Sequence, residues 1–135
     1  MSKIARAARV ASRQRVETIS ADKTIESAET GELYLVSAAA TVTLPAVQDG
    51  AYFKFILVDA IQAATAFRVN AAGSAKMIGA VPSIVKDNSS AATVELRNNA
   101  VSDGSAATHI KMGDGSHNVE EVTVIECFCD GTNWV

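Results

Sequence analysis

Hydrophobic positions recur at every second residue through most of this chain, in runs that are short. Val42 and Leu44 flank Thr43, Phe53 and Phe55 flank Lys54, and Val94 and Leu96 flank Glu95. Side chains alternate between faces along an extended strand, so each pair marks one buried and one solvated face. The runs 33–36, 41–44, 52–58, 66–69, 93–97 and 122–128 therefore predict strands. Pro45 ends the second, since proline cannot donate to a ladder. Four of the seven Asp residues precede a glycine (Asp49-Gly50, Asp103-Gly104, Asp114-Gly115, Asp130-Gly131). That dipeptide supplies the positive φ angles of tight hairpins, while Asp22-Lys23 and Asn98-Asn99 mark softer turns. Residues 59–65 read as one helical turn or a loop, and 87–92 as a loop. No repeat of solenoid period is visible. The predicted fold class is all-β: a compact antiparallel sandwich, jelly-roll-like, or a small barrel, with an extended N-terminal arm.

The strand period does not reach the first sixteen residues. Residues 1–16 carry Lys3, Arg6, Arg9, Arg13 and Arg15 and no acid. The other seven Lys and Arg share the remainder of the chain with all fifteen Asp and Glu. A net charge of −3 thus averages a cationic arm with an anionic body. Ala and Arg favour helix, and Ile4, Ala8 and Ala11 would share one stripe, but that stripe is too small to anchor a helix alone. The organisation predicted is a basic arm, 1–16, and one all-β domain, 17–135. Segregation of this kind suits an arm that lies on something negative.

Composition narrows the classes further. Hydrophobic residues make up 48%, but much of that is Ala and only 5% is aromatic, so the core leans on Val, Ile, Leu and a few Phe. A thin core often gains stability from oligomerisation. No apolar run approaches the roughly 18 residues of a membrane span, and no apolar stretch follows the basic start as in a secretory signal. An Arg-rich, acid-poor start also fits a mitochondrial transit peptide, but nothing else in the chain points to an organelle. Cys127 and Cys129 lie two apart, the spacing of neither a redox pair nor a zinc ribbon, and read as small core hydrophobes.

Catalytic and metal constellations are weak. His109, Asp114 and His117 match no compact metal motif, and surface or loop histidines are the simpler reading. The serines lack a nucleophile elbow, and Cys127 sits in an apolar run without an activating charge. The loop 112–116 lacks the ending that would hold phosphates. Glu120-Glu121 reads as a solvated turn or strand edge. The chain is expected not to be an enzyme and to need no cofactor. Nucleic acid is an unlikely partner despite the arm, which has no aromatic for base stacking and leads to an acidic body. No membrane role is expected either, since the arm offers no Trp, Phe or Leu to insert.

Two stretches resemble a known group of proteins. Thr18-Ile19-Ser20-Ala21-Asp22-Lys23-Thr24 runs through Gly31-Glu32-Leu33-Tyr34-Leu35-Val36 to Val42-Thr43-Leu44-Pro45, and the chain closes on Asp130-Gly131-Thr132-Asn133-Trp134. This resembles small β-rich virion proteins of tailed bacteriophages, which include capsid decoration (cement) proteins and β-domains of tail fibres. The resemblance covers most of 15–69 and the last seven residues. It implies a capsid-exterior protein, made in the host cytoplasm, that binds the major capsid protein as a homotrimer and staples capsomers. On that reading Lys3, Arg6, Arg9, Arg13 and Arg15 contact acidic capsid surface. The competing expectations are a tail-fibre or receptor-binding module and a nucleic-acid-binding protein using the arm. The middle of the chain supplies apolar candidates for core or oligomer interface: Met77, Ile78, Val81, Ile84 and Val85.

Overall fold

The computed structural model describes residues 14–61, 65–86, 94–103, 106–112 and 123–135, with side chains outside 80–103. These residues form ten strands, one 3₁₀ turn at Ser27–Glu29 and no α-helix. In chain order the strands are β1 Val16–Ile19, β2 Lys23–Thr24, β3 Leu33–Val36, β4 Thr41–Thr43, β5 Tyr52–Leu57, β6 Phe67–Asn70, β7 Ile78–Lys86, β8 Val94–Asp103, β9 His109–Met112 and β10 Val124–Phe128. One sheet has the order β1-β3-β5-β10 and a second has β2-β4-β6-β9, with β7 and β8 pairing separately.

The all-β class holds, but the strand pairing differs from the expected hairpins. β1, β3 and β5 run parallel, as do β2, β4 and β6. The chain alternates between sheets, winding three times before β9 and β10 close the sheets by antiparallel pairing with β6 and β5. The consecutive strands β3 and β4 lie in different sheets. Ser37 donates its N–H to Ile19 O at 2.9 Å, and Arg68 donates to Ala40 O at 2.8 Å. The short corner between β3 and β4 is thus bonded to the turns before and after it, not folded back on itself. Winding also hides the repeat. Val16 pairs with Leu33, Leu33 with Lys54, Lys23 with Val42 and Thr41 with Arg68, so successive turns differ in length.

Two expected turns are strand. Lys23 begins β2, and the Asp22 carboxylate accepts the Thr41 N–H at 2.7 Å, fastening the first winding to the second. Asn98 and Asn99 lie within β8, where the register shifts between Val81/Ala100 and Pro82/Asn98. Asn99 is the unpaired residue of a bulge beside Pro82, a place where a strand tolerates proline.

Inward positions of both sheets line one core that includes Ile19, Tyr34, Val36, Val42, Phe53, Phe55, Leu57, Phe67, Val69 and Cys127. Phe55 of the first sheet meets Phe67 of the second with ring centroids 5.8 Å apart, and Tyr34 stacks on Phe55 at 5.3 Å. Cys127 and Cys129 are free and buried in this core, as their spacing predicts. Burial pushes the Cys127 thiol up to about 12.

The terminal Asp-Gly is a true tight turn. Gly131 has φ +90°, and the Asp130 carboxylate accepts the N–H groups of Thr132 and Asn133. Phe128 and Val135 exchange backbone hydrogen bonds across it. The Asn133 side-chain oxygen takes the Lys76 N–H at 3.1 Å, and Trp134 is fully buried with its ring 5.7 Å from Phe53.

Candidate functional site

The junction between the basic arm and the first sheet is the best-defined polar site among the described residues. Its logic begins with strand alternation. In β1, Glu17 shares the inward face with buried Ile19, and Lys23 stands in phase with buried Ile25. Both charges therefore point toward the core at the end of the stack where, among the described residues, no further strand covers it. The Lys23 ammonium lies 3.0 Å from both Glu17 oxygens and 2.8 Å from Glu29 Oε1. Its Nζ also sits 5.6 Å from the Tyr34 ring centroid.

Glu29 is set by the 3₁₀ turn. It closes a capping box with Glu26, accepting the Glu26 N–H through its second oxygen. Gly31, at φ +85°, then turns the chain, and Glu32 follows it immediately before β3. Glu32 is 8% exposed, the one charged residue buried among those described. Its partner is Arg15 Nη1 at 3.3 Å, from a side chain that is 77% exposed. The Arg15 carbonyl accepts the Leu33 N–H at 2.9 Å, and the Gln14 amide donates to Gly31 O. Carboxylate oxygens of Glu17, Glu29 and Glu32 all lie within 4.8 Å of one another.

The electrostatics follow from this crowding. Burial alone would lower the Lys23 pKa, but hydrogen bonds and attraction from Glu29 and Glu17 outweigh it and raise the value above 10.5. Burial would likewise raise Glu29, yet Lys23 and the Glu26 N–H hold it below 4.5. Burial, then the charges of Glu29, Glu32 and Glu17, push the Tyr34 hydroxyl well above its ordinary value. That hydroxyl is buried, and its hydrogen-bonding interaction with Glu32 adds to its own rise while that with Glu29 helps to hold Glu29 down.

Beside this junction lies the outer face of the first sheet. The register places Val16, Leu33, Lys54 and Glu126 in one row, and Thr18, Leu35, Ile56 and Val124 in the next. Tyr52 and Phe128 form a third. Val124 and Phe128 are 46% and 47% exposed. The polar interruption is an ion pair, Lys54–Glu126 at 2.9 Å, to which the Tyr52 hydroxyl donates at 2.9 Å.

The residues expected from sequence fall in different places. Arg15 is at the junction, while Lys3, Arg6, Arg9 and Arg13 lie outside the described residues. Met77 is buried in the core and bridges to Trp134, and Ile78 is half-buried and donates its N–H to Trp134 O. Val81, Ile84 and Val85 belong to β7, opposite Ala100, Leu96 and Glu95 of β8. His109 is exposed on β9, and Asp114 and His117 lie outside the described residues. Sequence reasoning missed Glu17, Lys23, Glu29 and Glu32. The available signal was charge in phase with the buried Ile19 and Ile25. Among the described residues, no helix is long and apolar enough to cross a membrane.

Comparison with known proteins adds no relative: no family model, curated protein or solved structure matches this chain.

Proposed function

We propose that this protein is a structural virion protein of a tailed bacteriophage. In this reading it is a capsid decoration protein that binds the shell exterior as a homotrimer and bridges capsomers through its basic arm. The observation that carries the reading is the junction at Gln14–Val16. The five cations of the arm lead without a linker into edge strand β1, which pairs in parallel with β3 along its whole length. Tension applied to the chain at Gln14 along the axis of β1 is carried by the parallel β1–β3 pairing. It loads the β1–β3 hydrogen bonds together in shear, so no single bond gives way first. An arm gripping an acidic surface through Arg side chains gains bidentate geometry, and a trimer multiplies weak contacts through effective concentration. The motif residues shared with virion proteins also have physical work in this reading: Asp22 and Lys23 fasten the first winding, and Asp130, Asn133 and Trp134 the last.

A tail-fibre or receptor-binding module is the second reading, favoured by the exposed apolar and aromatic rows of the first sheet. Copy number in purified virions, by quantitative mass spectrometry against the major capsid protein, separates the two. Hundreds of copies support decoration and a handful support a fibre. Absence from the particle overturns both and turns attention to salt-dependent nucleic-acid binding. Removing residues 1–13, which spares β1 and its bonds, is expected to leave a folded oligomer that no longer binds capsids. Unchanged capsid binding would reject the arm's role.

A further inference from the structure

We propose that the outer face of the first sheet is the surface through which copies of this chain associate, each face taking a second copy. The two sheets share one winding and one core, so their outward positions can be compared directly. On the second sheet every outward position is polar: the threonines of β2 and β4, Arg68 and Asn70 of β6, and His109 and Lys111 of β9. On the first sheet the outward rows hold Val16, Leu33, Leu35, Ile56, Val124 and Phe128. Val16, Val124 and Phe128 are each about half exposed. A sheet with one face in water pairs apolar inward with polar outward positions, as the second sheet does. The first sheet departs from that rule across all four of its strands, which marks its outer face as one that is covered.

The charged feature of this face is ready to be covered. Lys54 Nζ lies 2.9 Å from Glu126 Oε1, and the Tyr52 hydroxyl donates to the same oxygen at 2.9 Å. Both ions therefore have partners within the protomer before any contact is made, and covering them strands no lone charge.

Charge also names the occupant. From Glu17 onward the chain has seven basic against fifteen acidic residues, so copies repel each other over most of their surface. The outer face of the first sheet carries one cation and one anion on adjacent strands and is neutral. A strongly acidic or basic partner is drawn by one of these charges and opposed by the other. Two copies can instead meet with Lys54 of one facing Glu126 of the next, apolar rows against apolar rows. Self-association is the one part of the function proposed above that needs no capsid. This face can therefore fail its test while capsid binding passes, and the reverse.

Size sets the strength. Strands about 4.8 Å apart, rising about 3.3 Å per residue, give this sheet a face of roughly 300 Å². A standard interface takes about 800 Å² from each partner, so free copies are expected to associate at micromolar concentrations or above.

The test is the mass of the purified full chain by light scattering and sedimentation, over a dilution series spanning the micromolar range. Wild type is expected to gain mass with concentration. Val124→Glu should weaken association by about tenfold or more, since the contact would bury a new unpaired charge. Phe128→Ser, which adds no charge, should weaken it by a similar factor. Lys111→Glu, on the polar face of the second sheet, should change it by less than about twofold. Glu126→Lys and Lys54→Glu each put two like charges on the face. Either variant alone should dissociate, and an equimolar mixture of the two should associate again. The near-ultraviolet signal of Trp134 confirms that each variant is folded. A chain that stays monomeric throughout would overturn the proposal. So would association that Val124→Glu and Phe128→Ser both leave unchanged, or a mixture no more associated than its two components.

Discussion

The two ends of the wound stack are closed by opposite physical means. At the first winding, Glu17, Lys23, Glu29 and Glu32 stand at one end of the core, and among the described residues β1 and β2 are edge strands. At the last winding the chain reverses direction. There β10 covers β5, and Trp134 seals the gap against Phe53 while Asn133 and Trp134 bond the backbone at Lys76 and Ile78. A parallel stack offers a bare ladder at each end, which another chain could extend. Reversal covers the parallel edges of β5 and β6 with the antiparallel strands β10 and β9, which become the outer strands, and inward charge defends the other end by making any added layer bury an ion. The paired end gains stability from apolar area, whereas the charged end is held by the ion pairs of Lys23 with Glu17 and Glu29.

Removing the seal should have the largest effect. Trp134→Ala is expected to cost about 3–5 kcal/mol in a urea titration, because a fully buried indole leaves a cavity at a site bonded on both sides. A cost under about 1 kcal/mol would mean that the backbone bonds of the terminal turn close this end unaided.

Emptying the charged end should cost less. Lys23→Met leaves Glu17 and Glu29 facing each other, for an expected loss of about 1–2 kcal/mol at neutral pH, discounted for partial exposure. Glu29 titrates below 4.5 in the folded chain, so its contribution is present above that value and fades as pH falls through the folded pKa. The deficit of the variant should therefore shrink in acid. A deficit constant from pH 7 to pH 3 would show that Lys23 acts through packing of its stem and not through charge.

Alkali should separate the two ends most finely. Cys127 keeps its proton in the folded chain up to about 12 but loses it near 9.0 when unfolded. Its contribution is complete below pH 9 and is lost as pH rises toward 12, roughly 1 kcal/mol by pH 10. Tyr34 and Lys23, both raised, add losses above their ordinary values of 10.0 and 10.5. Cys127→Ala should flatten the stability curve between pH 9 and 10 and make the fall between pH 10 and 12 shallower, leaving there only the part due to Tyr34 and Lys23. If the curve keeps its shape, the alkaline response belongs to the charged end alone.

Much of this molecule is legible along the chain. Alternation named six of the ten described strands, β3 to β6, β8 and β10, and buried faces among them: Phe53 and Phe55 inward with Lys54 outward, Val42 inward between two threonines, Cys127 in the core. The Asp-Gly dipeptide predicted the tight turn at Asp130-Gly131. Those features depend on residues a few positions apart, and the period of two is fixed by backbone geometry. The parallel winding could not be read in the same way, because alternation looks the same whether a neighbour runs parallel or antiparallel. That choice was made by partners well separated in sequence, such as Leu33 with Lys54 and Thr41 with Arg68, joined by corners of unequal length. The carboxylate nest is legible only in that light. Glu17, Glu29 and Glu32 share no motif spacing, and the winding brings them around Lys23 where local sequence had suggested only a turn.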